Sequence, residues 1–183
     1  MNTRKTLITA LFTGLIIVGT FIRIPLPPVP ITLQTMFVIL AALLGGLSIG
    51  FYSFIIYLVL GTIGLPIFTS GGGIGALIGP TGGYIFGMLL ATIVAGFISD
   101  LGKNKEKKLP YFIVAALLAT VVIYLVGIPW LKYATSINWS KAFALGLTPF
   151  IVGDVIKLLV SIFLATKFYD RIHQLINKEE ETE

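Results

Sequence analysis

Apolar residues run along this chain in long blocks, and polar residues fall between the blocks. No Lys, Arg, Asp or Glu occurs from Leu26 to Ser99, a stretch of about 74 residues. One helical crossing of a bilayer needs roughly 20 apolar residues, so this stretch holds several. The pattern predicts six spans, at about 6–24, 31–44, 47–67, 80–98, 110–128 and 143–166, and a polar tail over 170–183. The cluster Pro25-Leu-Pro-Pro-Val-Pro30 ends the first span, because proline cannot continue a helix. The block from Ile31 to Gly64 would reach about 50 Å as one helix, against a hydrocarbon core of about 30 Å. It must fold back, and Gly45-Gly46 is the expected turn. A glycine-rich connector, Thr69 to Gly79, precedes the fourth span, where Pro80 suits a first helical turn. Trp130, Tyr133 and Trp139 are expected in the loop after the fifth span, at the membrane interface.

Composition agrees. Charged residues make up 11% of the chain, against about 25% in soluble domains. The expected fold class is an all-α integral membrane protein, a six-transmembrane-helix bundle forming a single transmembrane domain over 1–183. The basic start, Arg4-Lys5, resembles a signal-peptide n-region. The apolar run that follows is too long and lacks an Ala-x-Ala site, so an uncleaved first span is expected.

Of the 13 basic residues, nine fall on one side: Arg4, Lys5, Lys103, Lys105, Lys107, Lys108, Lys167, Arg171 and Lys178. Arg23, Lys132 and Lys141 fall on the other, and Lys157 lies within a span. This asymmetry places both termini in the cytoplasm. It also explains the net charge of +5 without a nucleic-acid groove, which would cluster basic residues with stacking aromatics.

Several chemistries are excluded. With no cysteine, thiolate metal sites and cysteine nucleophiles are absent. The lone histidine, His173, lies in the polar tail and is expected to be solvated. Gly71-Gly-Gly73-Ile-Gly-Ala76 matches G-x-G-x-x-A as a string, but no βαβ unit surrounds it. No catalytic residue, metal site or cofactor is expected.

Asp154 and Lys157 are ionisable residues inside the sixth span, three apart and therefore on one helix face. If that helix starts near Phe143, Asp154 lies about 16 Å along it and Lys157 about 21 Å, near mid-bilayer. Charges at such depth are costly and mark function by default. The pair either locks the bundle or offers a carboxylate acceptor and an ammonium donor to a small ligand. Gly153 beside them leaves room for close backbone approach. Gln34 and Thr35 lie just inside the second span, and Tyr84 at the outer end of the fourth, as weaker candidates. Arg23 snorkels to the outer interface or attracts an anion. Small residues at Gly79, Gly83, Gly87, Ala91 and Ala95 form a packing ridge. Ala10 and Gly14 form a shorter one, suited to internal packing or to another subunit.

Three segments in order carry a resemblance: Pro28-Val-Pro-Ile-Thr-Leu-Gln-Thr35, Gly79-Pro-Thr-Gly-Gly-Tyr84 and Gly153-Asp-Val-Ile-Lys157. Together they resemble the signature segments of the BioY family, the biotin-specific S components of energy-coupling factor (ECF) transporters. The resemblance implies biotin capture from outside in a bacterial cell membrane. It also implies partnership with a transmembrane coupling protein and two cytoplasmic ATPases. It implies that Asp154 and Lys157 contact biotin, with Tyr84 and Gln34 as neighbours, and that Ala10 and Gly14 dock on the coupling protein. Asp154 suits a ureido N–H; Lys157 suits either the ureido carbonyl or the carboxylate. The proline loop and glycine connector are expected to close over the outer mouth. The competing reading is a self-sufficient secondary transporter using Asp154 as a proton site, although no inverted repeat is evident.

Overall fold

The computed structural model describes residues 3–177. Its helices are α1 (Thr3–Phe21), α2 (Gln34–Thr62), α3 (Ile74–Ile78), α4 (Gly82–Gly102), α5 (Leu109–Thr135), α6 (Trp139–Gly146) and α7 (Ile151–Asn177). Two short strands, β1 (Arg23–Ile24) and β2 (Ile31–Thr32), pair antiparallel, with Arg23 opposite Thr32 and Ile24 opposite Ile31. Five of the helical stretches are long and apolar enough to cross a membrane, the last one running from α6 through α7.

The expected reversal at Gly45-Gly46 is present. Gly46 takes φ 66° and ψ −167° inside α2, a conformation that is essentially glycine's alone. The chain folds back there, and the Ala42 backbone lies so close to Gly50 that a Cβ on Gly50 would sit 2.8 Å from it. Asp100, near the end of α4, seals the turn by accepting from the Leu47 N–H at 2.9 Å. A Cβ on Gly46 would collide with the same carboxylate at 2.1 Å. The second arm of α2 therefore starts with a side-chain cap supplied from another helix.

Small residues and buried hydroxyls hold the bundle together. Ala91 and Ala95 of the fourth-span ridge are buried. Gly87 faces the Ile123 backbone and Gly83 faces Trp130, so the ridge packs internally between α4 and α5. Ser53 Oγ donates to Thr9 O at 3.1 Å, and Thr13 Oγ1 donates to Ser53 O at 3.1 Å, joining α1 to the second arm of α2. Ser99 Oγ donates to Leu43 O at 2.7 Å and Ser161 Oγ to Met36 O at 3.3 Å. Such interhelical bonds replace the hydrophobic drive that lipid does not supply. Large apolar side chains, among them Leu11, Leu125, Val152 and Phe163, point outward, as lipid contact allows.

Several sequence expectations need correction. The first span ends at Phe21, because Arg23 and Ile24 leave the helix to pair with β2. Pro80 precedes the helix start instead of occupying it: Thr81 is the residue before α4. Helix α5 runs through Pro129 to Thr135, so Trp130 and Tyr133 stand on a helix and not in a loop. The ring sits in the last two turns, where it removes one hydrogen bond and the helix needs only a little more length. The expected sixth span is broken. Gly146 ends α6, and Thr148-Pro-Phe150 forms a 3₁₀ turn before α7 begins at Ile151. Asp154 therefore sits in the first turn of α7, about 4.5 Å along it and not 16 Å. The helix also continues through much of the expected tail, to Asn177; Lys178 to Glu183 lie outside the described residues. His173 is half-buried, its ring stacked on Tyr169 at 3.9 Å between centroids. Its Nδ1 lies 3.1 Å from the Tyr169 carbonyl. Asp170 pairs with Lys108 at 2.8 Å, tying α7 to the start of α5.

Candidate binding site

One cavity lies among α2, α4, α5 and α7. Val29 and Pro30 of the proline hairpin and Thr69 of the glycine connector also line it. Its enclosed space is small, about 60 Å³, with an open mouth beyond it. Its walls are mostly apolar, with Ile39, Ile85, Met88, Ile123, Phe150 and Leu158 among them.

The segments near its mouth are firmly packed. Phe68 is buried against Gly61, where a Cβ would meet the ring at 2.1 Å, and it stands edge-on to Tyr57 at 5.3 Å. Gly73 N–H donates to Gly61 O at 2.7 Å. Arg23 reaches from β1 to donate to the Thr69 carbonyl. Arg23, the one cation of the proline hairpin, therefore pins the two connectors together.

Asp154 and Lys157 both line the cavity. Lys157 Nζ donates to Asp154 Oδ1 at 2.9 Å. Tyr124 Oη donates to Asp154 Oδ2. Each carboxylate oxygen thus has one protein donor and keeps further acceptor capacity for a ligand. The ammonium, buried beside an acceptor, has two more protons to give. A ligand with an N–H and a carbonyl side by side fits this pair.

Gln34 and Tyr84 line the same cavity, and Thr35 joins them. Gln34 is buried at the start of α2. Tyr84 is buried as well and is no interfacial anchor: its hydroxyl donates to Gly146 O at 2.8 Å, and its ring stands edge-on to Tyr124. Gly153 is not among the lining residues; a Cβ there would meet Ile31 alone, at 3.9 Å. Ala10 and Gly14 lie far from the cavity in sequence, on an exposed face of α1 that also presents Leu7, Leu11 and Val18. Among the described residues no cluster of His, Cys, Asp or Glu could hold a metal.

Sequence reasoning missed Tyr124, Thr81 and Thr120. Thr120 and Tyr124, four apart on an otherwise apolar span, were the available signal, since that spacing puts both on one helix face. Behind them runs a second groove between α5 and α7, lined by Leu117, Val121, Leu125 and Val155. Thr120, Tyr124, Asp154 and Leu158 border both spaces. The Tyr124–Asp154 hydrogen bond stands between the cavity and this lateral groove.

Comparison with known proteins agrees with this architecture. The chain is 40% identical over 174 residues to a probable biotin transporter BioY of Lysinibacillus sphaericus, covering 92% of this chain and 88% of that one. It is 42% identical over 168 residues to a probable biotin transporter BioY of Pyrococcus horikoshii, covering 91% and 97%. It is 36% identical over 165 residues to the biotin transporter BioY of Thermotoga maritima, covering 90% and 95%. Its fold matches a crystal structure of the S-component for biotin from an ECF-type ABC transporter, with a TM-score of 0.83, 29% identity and coverage of 93% and 95%. The BioY family profile matches residues 1–174, and the chain belongs to the BioY family.

Proposed function

We infer that this chain is the membrane subunit that captures biotin for an ECF-type transporter. It is a multi-pass transport subunit and not an enzyme. The observation that carries the reading is the largely buried Asp154–Lys157 pair, 2.9 Å apart, facing a mostly apolar cavity between four helices. Biotin has a ureido ring with two N–H groups and a carbonyl, an apolar bicycle and a carboxylate tail. The pair suits the polar groups, and the aliphatic walls suit the bicycle. Gln34 and Tyr84 border the same space and complete the proposed contacts. On this reading the two arms of the folded-back α2 each cross the membrane, six crossings in all, and the excess of basic residues on one side supports both termini in the cytoplasm of the host cell. The cavity mouth then faces outside, with the proline hairpin and glycine connector closing over the ligand. The secondary-transporter reading is not favoured.

The energy comes from partners: a transmembrane coupling protein and two cytoplasmic ATPases. The exposed face of α1 around Ala10 and Gly14 is the proposed docking surface. A Cβ on Gly14 would meet nothing within 4 Å beyond the adjoining backbone of its own helix, so the close approach it permits is to another helix. Replacing both residues by leucine tests this. Accumulation of labelled biotin by cells that also make the partners should fall to background, while the purified variant still binds biotin. Full uptake by the variant would remove this face from the docking surface. Uptake by wild type without any partner would overturn the dependence itself.

A further inference from the structure

Two kinds of polar group line the cavity. On the α5–α7 side, the Asp154 oxygens and Lys157 Nζ already have protein partners. On the α2–α4 side, Thr35 Oγ1 and Thr81 Oγ1 have none, and Gln34 Nε2 makes no bond of good geometry, its side chain lying beside the Tyr57 hydroxyl. Gln34 is 3% exposed and Thr81 7%. Burying polar atoms without partners is unfavourable, and native proteins rarely leave such atoms together beside one cavity. All three can donate a hydrogen bond.

Their placement adds charge. Gln34 and Thr35 lie in the first turn of α2, and Thr81 immediately precedes α4. Neither N-cap residue, Leu33 or Thr81, caps its helix with its side chain, although Thr32 Oγ1 accepts from the Gln34 N–H at 3.3 Å. Two partially positive helix ends therefore converge with three donors on one wall, an arrangement that favours an anion. Arg23 holds the carbonyl of Thr69, another lining residue, and puts a full positive charge close to the mouth.

The opposite wall selects the other end of the ligand. Asp154 is the one acid among the residues lining the cavity; ionised, it accepts hydrogen bonds and repels a second carboxylate. Biotin's N–H donors are all in its ureido ring. An N–H and the carbonyl of that ring lie side by side, as do Asp154 Oδ1 and Lys157 Nζ, 2.9 Å apart.

We propose that Gln34, Thr35 and Thr81 form a carboxylate-binding pole that sets the ligand's direction. The ureido ring lies against Asp154 and Lys157, and the carboxylate faces the starts of α2 and α4. This assignment rests on the biotin reading above and resolves which group Lys157 meets: the ureido carbonyl.

Biotin and its uncharged methyl ester distinguish the poles. Both are titrated against the purified full chain, wild type and the Thr35→Val and Thr81→Val variants, which keep shape and lose the hydroxyl. Wild type should prefer biotin by about tenfold or more, as charge-assisted bonds require. The valine variants should lose most of that preference while binding the ester within about threefold of wild type; ester binding also shows that they are folded. Asp154→Asn should weaken both ligands by the same factor. Equal weakening of both ligands by Thr81→Val, or an unchanged preference, would overturn the orientation. A folded wild type that binds neither ligand would instead overturn the biotin reading itself.

Discussion

At the scale of single residues, the site depends on how one carboxylate is held. Tyr124 and Lys157 donate to different oxygens of Asp154. The side chain is thereby fixed from two helices before any ligand arrives, and a pre-set acceptor loses less freedom on binding. Asp154 and Lys157 stood out in the sequence because charges within an apolar span are costly. Tyr124 did not, since a tyrosine in a span reads equally well as packing, and only the crossing of α5 and α7 reveals its partner. Gly153 shows the opposite case. Its position beside the pair suggested contact with the ligand, but a Cβ there would meet only Ile31, at an ordinary contact distance of 3.9 Å. Gly153→Ala should therefore leave biotin affinity within about twofold, which is under about 0.5 kcal/mol. An isothermal titration giving a tenfold loss would put that backbone back in the site.

At the scale of elements, glycine decides where the chain turns. The length of the uncharged block required a reversal, and the Gly45-Gly46 pair located it correctly. The cap that stabilises the turn was not legible, because Asp100 lies more than fifty residues away and reads as the end of a span. Gly46→Ala must place a Cβ both in a glycine-only conformation and on the Asp100 carboxylate. The strained backbone alone costs about 1–3 kcal/mol. The variant should unfold at a clearly lower temperature in detergent, followed by intrinsic fluorescence, and an unchanged midpoint would contradict the reversal as described. The break before α7 was hidden for a related reason. Leu147-Thr-Pro-Phe150 is apolar enough to read as span, and hydropathy does not distinguish a helix from a 3₁₀ turn at membrane depth. Expected boundaries elsewhere moved by a few residues, as at Phe21 and Thr62, because two-residue strands and tight connectors carry little hydropathic signal.

At the scale of the whole molecule, two surfaces of different character coexist. Outward faces carry large aliphatic side chains, and the interior mixes small residues at the helix contacts with large apolar ones such as Phe54, Tyr57 and Phe112. Close approach of α4 and α5 leaves little space between them, whereas α7 stands off from α5 and leaves both the cavity and the lateral groove. The ligand site thus falls where small residues give way to bulkier ones and the bundle opens. The most direct test of a biotin-capturing bundle is equilibrium binding of biotin to the purified chain, with Asp154→Asn measured beside it. Tight binding by wild type is predicted, and the variant should bind at least about 100-fold more weakly, a loss of about 2.8 kcal/mol. A folded wild type without affinity for biotin, or an Asp154→Asn variant that binds as well as wild type, would contradict the account.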